Sequence, residues 1–202
     1  MKKCTIIGKT GVGKTVFLIN FAEYLGMNTI EIERLNSDGT KDYEKINPKL
    51  ALSKLADGKI HKTRNIQAVT VDIPMGKGKK KIQLIDTAGL IDGIHPDSDI
   101  RKAISQTLSA VRESDFIIHI IDASAAGKKE LPNAMGVVDY QIAQFAQIRR
   151  GYVILANKMD LPGAKNGLKK IKEELSGHFI IPISALHKTG FKEVKTFVAH
   201  NI

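Results

Sequence analysis

A single cysteine, Cys4, and no tryptophan occur among the 202 residues. One thiol cannot close an internal disulfide, so stability has to come from packing, and the chain suits a reducing compartment. Aromatic content is only 5%, with no spaced pattern of the kind that stacks on single-stranded bases. No apolar stretch approaches the roughly 20 residues of a membrane-crossing helix. The first such stretch stops at Ile7, short of a secretory leader's apolar core. Six prolines and 43% hydrophobic residues separate the chain from disordered sequences. It carries no internal repeat and no low-complexity linker. The expectation is a cytoplasmic protein, a single domain over 1–202 with one packed core.

Acidic residues are also scarce, 21 against 31 lysines and arginines, for a net charge of +10. Such a balance favours polyanions such as nucleic acid, the ribosome or an acidic membrane surface, or simply reflects a solvated lysine-rich surface. The lysines gather at Lys77, Lys79, Lys80 and Lys81, and again at Lys165, Lys169, Lys170 and Lys172.

What is present concentrates in Gly8-Lys9-Thr10-Gly11-Val12-Gly13-Lys14-Thr15, a full match to G-x-x-x-x-G-K-[ST]. The glycines let backbone N–H groups turn inward as a nest for phosphate oxygens. Lys14 is placed to reach the β- and γ-phosphates, and the Thr15 hydroxyl to hold Mg²⁺. A β-branched run at 3–7 precedes the loop, and an apolar helical stretch at 16–25, ended by Gly26, follows it. That setting matters because the helix N-terminus adds partial positive charge to the site.

Further strands are expected at 66–73, 81–85, 116–121, 152–156 and 179–183, and helices at 99–113, 134–148, 168–175 and 190–199. Asn47-Pro48 reads as the cap of a short helix reaching 56, Asn36-Ser37-Asp38-Gly39 as a turn, and 75–80 as a hairpin tip,. Alternation of strands and helices implies an α/β fold. Its sheet is expected to have six strands, mainly parallel with one antiparallel strand, and helices on both faces.

Three more stretches follow strands. Asp86-Thr87-Ala88-Gly89 offers a carboxylate for Mg²⁺ through water and a Gly89 N–H for a γ-phosphate. Asn157-Lys158-Met159-Asp160 offers, at Asp160, a carboxylate for the paired N1 and N2 hydrogens of guanine, a pair that adenine lacks. Ser184-Ala185-Leu186 offers a backbone N–H for the guanine O6. Each is weak alone; in series at strand C-termini, where open α/β sheets bind ligands, they are strong.

With these motifs the chain resembles the translation-factor-like GTPases, nearest to the Era/Obg-type bacterial G domains. The resemblance assigns nucleotide binding to Gly8, Gly11, Val12, Gly13, Lys14, Thr15, Val16, Asp86, Gly89, Asn157, Lys158, Asp160, Ser184, Ala185 and Leu186. It implies GTP and GDP as ligands, Mg²⁺ held by Thr15, Asp86 and a further threonine, and slow hydrolysis with Lys14, that threonine and Gly89 at the γ-phosphate. The threonine is assigned to Thr63, with Thr70 and Thr40 as rivals. Ribosome or structured RNA is the implied partner.

Three departures stand out. The gap from Thr15 to Thr63 is long, so about 31–60 looks like an insertion before or within switch I. Leu90 occupies the place where Ras-like proteins put a water-orienting glutamine. Gly11 stands where potassium-activated relatives carry asparagine. Asp92 and His95 are candidates to orient water, whereas His119 reads as a core histidine and Asp122 as a loop cap. Two other readings are a near-inactive GTP-binding scaffold for a protein partner, and a deviant-Walker ATPase using Lys9 as its signature lysine.

Overall fold

A computed structural model describes residues 1–36, 39–56, 66–76, 78–90, 98–126, 135–147 and 151–201, the side chains of 98–104 and 147 excepted. The elements in order are β1 (Lys2–Ile7), α1 (Lys14–Tyr24), β2 (Ile30–Leu35), β3 (Lys41–Ile46), α2 (Pro48–Ala56), β4 (Ile66–Met75), β5 (Gly78–Asp86), α3 (Ser98–Glu113), β6 (Phe116–Asp122), α4 (Ala123–Ala126), α5 (Val137–Gln147), β7 (Tyr152–Asn157), α6 (Ala164–Glu174), β8 (Ile180–Pro182) and α7 (Phe191–Asn201).

Among the described residues eight strands join one sheet in the order β3-β2-β4-β5-β1-β6-β7-β8. The six expected strands are β4-β5-β1-β6-β7-β8, and the count of six is corrected to eight. The added pair, β2 and β3, lies within and just before the 31–60 stretch. Asn36 and Gly39 close the turn between them, through Asn36 N–H to the Thr40 carbonyl (2.9 Å) and Gly39 N–H to the Asn36 carbonyl (3.1 Å). Ile30 and Ile32 face the core while Glu31 and Glu33 face out, a half-buried strand pattern. β2 pairs antiparallel with both β3 and β4, and β4 pairs antiparallel with β5. Two strands, β3 and β4, therefore oppose the parallel set, where one was expected.

The parallel centre is buried on both faces: Phe116, Ile117, Ile118, His119, Ile120 and Ile121 are at most 2% exposed, as crossover helices on each side require. On one face α1, α2 and α7 pack against the sheet. There Phe17 and Phe21 stack at 5.2 Å, and both meet the edge of Phe191 at 5.4 and 5.5 Å. On the other face, α5 and α6 cover β6 and β7. α2 begins at Pro48 behind Asn47, whose Oδ1 accepts from Lys49 N–H at 2.9 Å, the expected capped start. The hairpin tip is shorter than expected: β4 runs to Met75 and β5 begins at Gly78, so Lys79 and Lys80 are strand residues. α6 also starts earlier, at Ala164 behind left-handed Gly163. Among the described residues no helix is long and apolar enough to cross a membrane.

Phe191 links both aromatic partners on α1 to α7, so its truncation leaves a cavity at the centre of that layer. Phe191→Ala should lower unfolding free energy by about 3–5 kcal/mol, measured as the shift in a urea denaturation curve.

Candidate functional site

The loop between β1 and α1 holds Gly8, Gly11 and Gly13 at φ of 144°, 80° and 100°. A Cβ on Gly8 would lie 2.3 Å from the Ile120 carbonyl oxygen, and one on Gly13 2.5 Å from Asn157 Nδ2. Glycine is needed at both for space as well as for backbone angle. α1 starts with no side-chain cap and no acidic residue in its first turn, so its leading N–H groups suit an anion. Val12 is buried, and Val16 packs partly buried against the core. The ammonium of Lys14, itself buried, donates to the carbonyls of Gly8 (3.0 Å) and Lys9 (2.9 Å). Burial draws the Lys14 pKa down, against the opposing fields of Asp86 and Asp139,.

Asp86 ends β5, fully buried. Its Oδ2 accepts from the Thr15 hydroxyl at 2.6 Å, while its Oδ1 is buried with no hydrogen-bond partner among the described residues. Burial pushes its pKa up to about 6, with Lys14 and the Thr15 hydroxyl pulling it back. A buried carboxylate oxygen is costly to leave orphaned. Beside the Thr15 hydroxyl it presents two hard oxygens of the kind Mg²⁺ takes together with phosphate oxygens and water. These residues fit that ion.

Gly89 lies directly on the glycine loop, where a Cβ would come within 2.3 Å of Thr10 Oγ1. The next N–H, of Leu90, donates to the Gly8 carbonyl at 3.1 Å. The Leu90 side chain points inward, packed with Ile7, Val111, Ile117 and Ile142. Thr63, Asp92 and His95 lie outside the described residues. Thr70 sits in mid-β4 opposite Gln83, and Thr40 lies in the turn of the outermost strand pair, its Oγ1 accepting from Asn36.

At the neighbouring strand ends, Asn157 is 2% exposed. Its Nδ2 donates to the Val12 carbonyl and its Oδ1 accepts from Ala185 N–H, both at 2.8 Å. The Ala185 carbonyl accepts from Asn20 Nδ2 of α1 at 2.8 Å. Asp160 accepts from the Ser184 hydroxyl at 2.5 Å, and that hydroxyl accepts from His187 N–H at 3.2 Å. Asp160 and the Ser184-Ala185-Leu186 turn thus converge, with Leu186 itself 62% exposed. Lys158, at φ 65°, directs its ammonium to Asp122 Oδ2 at 2.6 Å. Asp122 Oδ1 accepts from the Ser124 hydroxyl and Ala125 N–H, so it caps α4. Burial raises its pKa, but the Lys158 and Ser124 contacts outweigh that and hold it below the usual range. His119 is fully buried with both ring nitrogens engaged, by Tyr152 and Asp139.

Sequence reasoning did not find Asn20 or Asp139. The available signal for Asn20 was a polar side chain inside an otherwise apolar helical run, a position that requires a partner. Asp139 had no such signal.

The glycine loop, Asp86 and the Asp160–Ser184 pair lie at one end of a mainly parallel sheet, the arrangement of a P-loop domain,. A family model described as a 50S ribosome-binding GTPase matches residues 51–158, and the chain belongs to that family. Among curated proteins, GTPase Obg of Ruminiclostridium cellulolyticum is 28% identical over 127 residues, 61% of this chain and 29% of that protein. GTPase Obg of Halalkalibacterium halodurans is 31% identical over 133 residues, 64% of this chain and 29% of that protein. The chain thus spans under a third of the length of these relatives. Among solved structures, an Era variant of Aquifex aeolicus bound to GDP and AlF4⁻ aligns with TM-score 0.62 and 21% identity, covering 100% of this chain and 57% of that one. Era in complex with MgGDPNP and a 16S ribosomal RNA segment aligns with TM-score 0.63 and 23% identity, covering 99% and 56%. The FeoB G domain of Methanococcus jannaschii aligns with TM-score 0.55 and 18% identity, covering 100% and 98%. These structures share the fold.

The folded-state pKa of Asp86, about 6, lies above its ordinary 3.8. Its contribution to stability is therefore present below the ordinary value and lost as pH rises through about 6. In metal-free buffer, Asp86→Asn should stabilise the protein at pH 7 by roughly 2–3 kcal/mol, with the gain vanishing toward about pH 4. Urea denaturation across that range in the presence of a chelator measures it.

Proposed function

We propose that this chain is a single G domain over 1–202, carrying the 31–60 insertion, that binds GTP and GDP with Mg²⁺ and hydrolyses GTP slowly in the cytoplasm. The observation that carries the reading is the orphaned Oδ1 of Asp86 beside Thr15, at the sheet end that also holds Asp160. In the reaction, water attacks the γ-phosphorus in line with the leaving oxygen. The glycine-loop N–H groups and Lys14 offset the developing charge, Gly89 N–H and Thr63 clamp the γ-phosphate, and Asp160 selects guanine. When bound, Mg²⁺ through Thr15, Asp86 and Thr63 supplies charge neutralisation on the phosphates. The inward-turned Leu90 provides no side chain to orient water, which supports a slow rate without a partner. Nothing in the geometry favours the scaffold or ATPase readings.

Asp160→Asn should weaken GTP and strengthen xanthosine triphosphate, because xanthine offers a carbonyl where guanine offers an amine. Titration of both nucleotides checks this; an unchanged guanine preference removes Asp160 from the base site.

The proposed partner is ribosomal or other structured RNA, touched through its phosphates. Lys79, Lys80 and Lys81 of β5 are exposed and, among the described residues, form no ion pair; Lys77 lies outside them. Strand alternation sends Lys80 to one face of the ribbon and its neighbours to the other, a two-sided basic prong. The second cluster is weaker support, since Lys169 and Lys170 pair with Glu173 and Glu174 along α6. Neutralising Lys77, Lys79, Lys80 and Lys81 together should reduce ribosome co-sedimentation. It should also flatten the salt slope by about 0.7–0.9 for each phosphate that the lysines no longer neutralise. No RNA or ribosome binding at low salt in any nucleotide state would dispose of this partner.

A further inference from the structure

The phosphate loop carries a second lysine. Lys9 has a side chain only 22% exposed, turned toward α5 with its ammonium 3.9 Å from Asp139 Oδ2, an ion pair rather than a hydrogen bond. Asp139 is 2% exposed. Its Oδ2 accepts from Gly136 N–H at 3.0 Å, and its Oδ1 lies 2.9 Å from His119 Nε2. His119 meets the Tyr152 hydroxyl through Nδ1 at 2.8 Å. With His119 in its neutral form and the proton assigned to Nε2, facing the carboxylate, the Tyr152 hydroxyl donates to Nδ1,. Tyr152 is itself set edge-on to His178, with centroids 5.3 Å apart. This line of contacts runs from β7 through β6 and α5 to the loop, and apart from Lys9 its residues lie outside the nucleotide motifs.

A carboxylate buried this deeply is tolerable when fixed donors and a cation surround it. Here one donor is backbone and the other is held in place by Tyr152, so the negative charge is pinned beside the loop. Its field also reaches Lys14. Among the described residues, Lys9 and Lys14 stand beside the loop as cations and Asp86 and Asp139 as opposing anions. GTP brings more negative charge than GDP, so a change in these charges acts unequally on the two nucleotides.

We propose that Lys9 and Asp139 form a specificity-determining pair that sets the loop's preference between GTP and GDP, with Asp139 the opposing charge, held in place by His119. The proposal rests on the guanine-nucleotide reading above. Lys9 raises affinity for the triphosphate, and Asp139 tempers that effect.

The test is titration of fluorescent GTP and GDP analogues into the wild type, Lys9→Met, Asp139→Asn and the double variant, at low salt and at about 0.5 M salt. Lys9→Met should lower the GTP-over-GDP affinity ratio about tenfold and Asp139→Asn should raise it on a similar scale. The double variant should return to within about twofold of wild type, and salt should compress all the differences. A lesion that merely loosened the loop would weaken both nucleotides together, so singles that shift GTP and GDP alike, or in the same direction, overturn the proposal. If Asp139→Asn does not fold, Lys9→Met decides alone, since its side chain is partly exposed; an unchanged ratio then overturns the proposal. A wild type that binds neither guanine nucleotide removes the underlying reading and the pair with it, and shows itself before any variant is compared.

Discussion

The side chain of Asn157 is the constraint on which the geometry of the site depends. It leaves the end of β7 and ties the glycine loop, at Val12, to the turn after β8, at Ala185. Asn20 completes the frame from α1 by holding the other end of the same Ala185 residue. The glycine loop and the turn after β8, far apart in the chain, are thereby set at one spacing. Each hydrogen bond is worth only about 1 kcal/mol net, but orphaning either buried partner costs more. The Gly13 conformation belongs to the same frame, because Asn157 fills the space that a side chain at residue 13 would need.

Around that frame the electrostatics run against stability. Asp86 is ionised at neutral pH only at the expense of burial, and one of its oxygens has no partner among the described residues. Lys14 is buried and satisfied by carbonyls of its own loop. The fold meets the cost with a core built on both faces of β1, β6 and β7 and with the aromatic cluster of Phe17, Phe21 and Phe191.

Legibility in the sequence followed burial and contiguity. β6 and β7 are near-continuous apolar runs with no competing pattern, and the glycine loop is a contiguous motif with a mechanism. β2 and β3 were missed because Ile-Glu-Ile-Glu-Arg-Leu and Lys-Asp-Tyr-Glu-Lys-Ile carry too much charge to stand out as strands. Their pairing depends on an already formed β4 edge, which is a tertiary effect. α4 has four residues, too few for any period. Asp86 and Asp160 lie in contiguous local motifs, whereas Asn20 acts on a residue 165 positions away and Asp139 on His119 within β6 and Lys9 of the glycine loop. Lys79 and Lys80 were read as loop because glycine flanks them, yet strand pairing continues past that point.

The outermost strand has a consequence for how copies of this chain can meet. Among the described residues β3 pairs with β2 alone in the sheet order, and its other side is an edge of the kind that can accept a strand. Two copies joined edge to edge about a two-fold axis at Tyr43 would set Lys41 against Lys45 and Asp42 against Glu44. An axis one residue on would set Glu44 against itself. Each register opposes like charges on the same face. The strand pair that widens the sheet therefore ends in a strand whose charge order repels its own image, so a closed pair of copies joined through this edge is discouraged,.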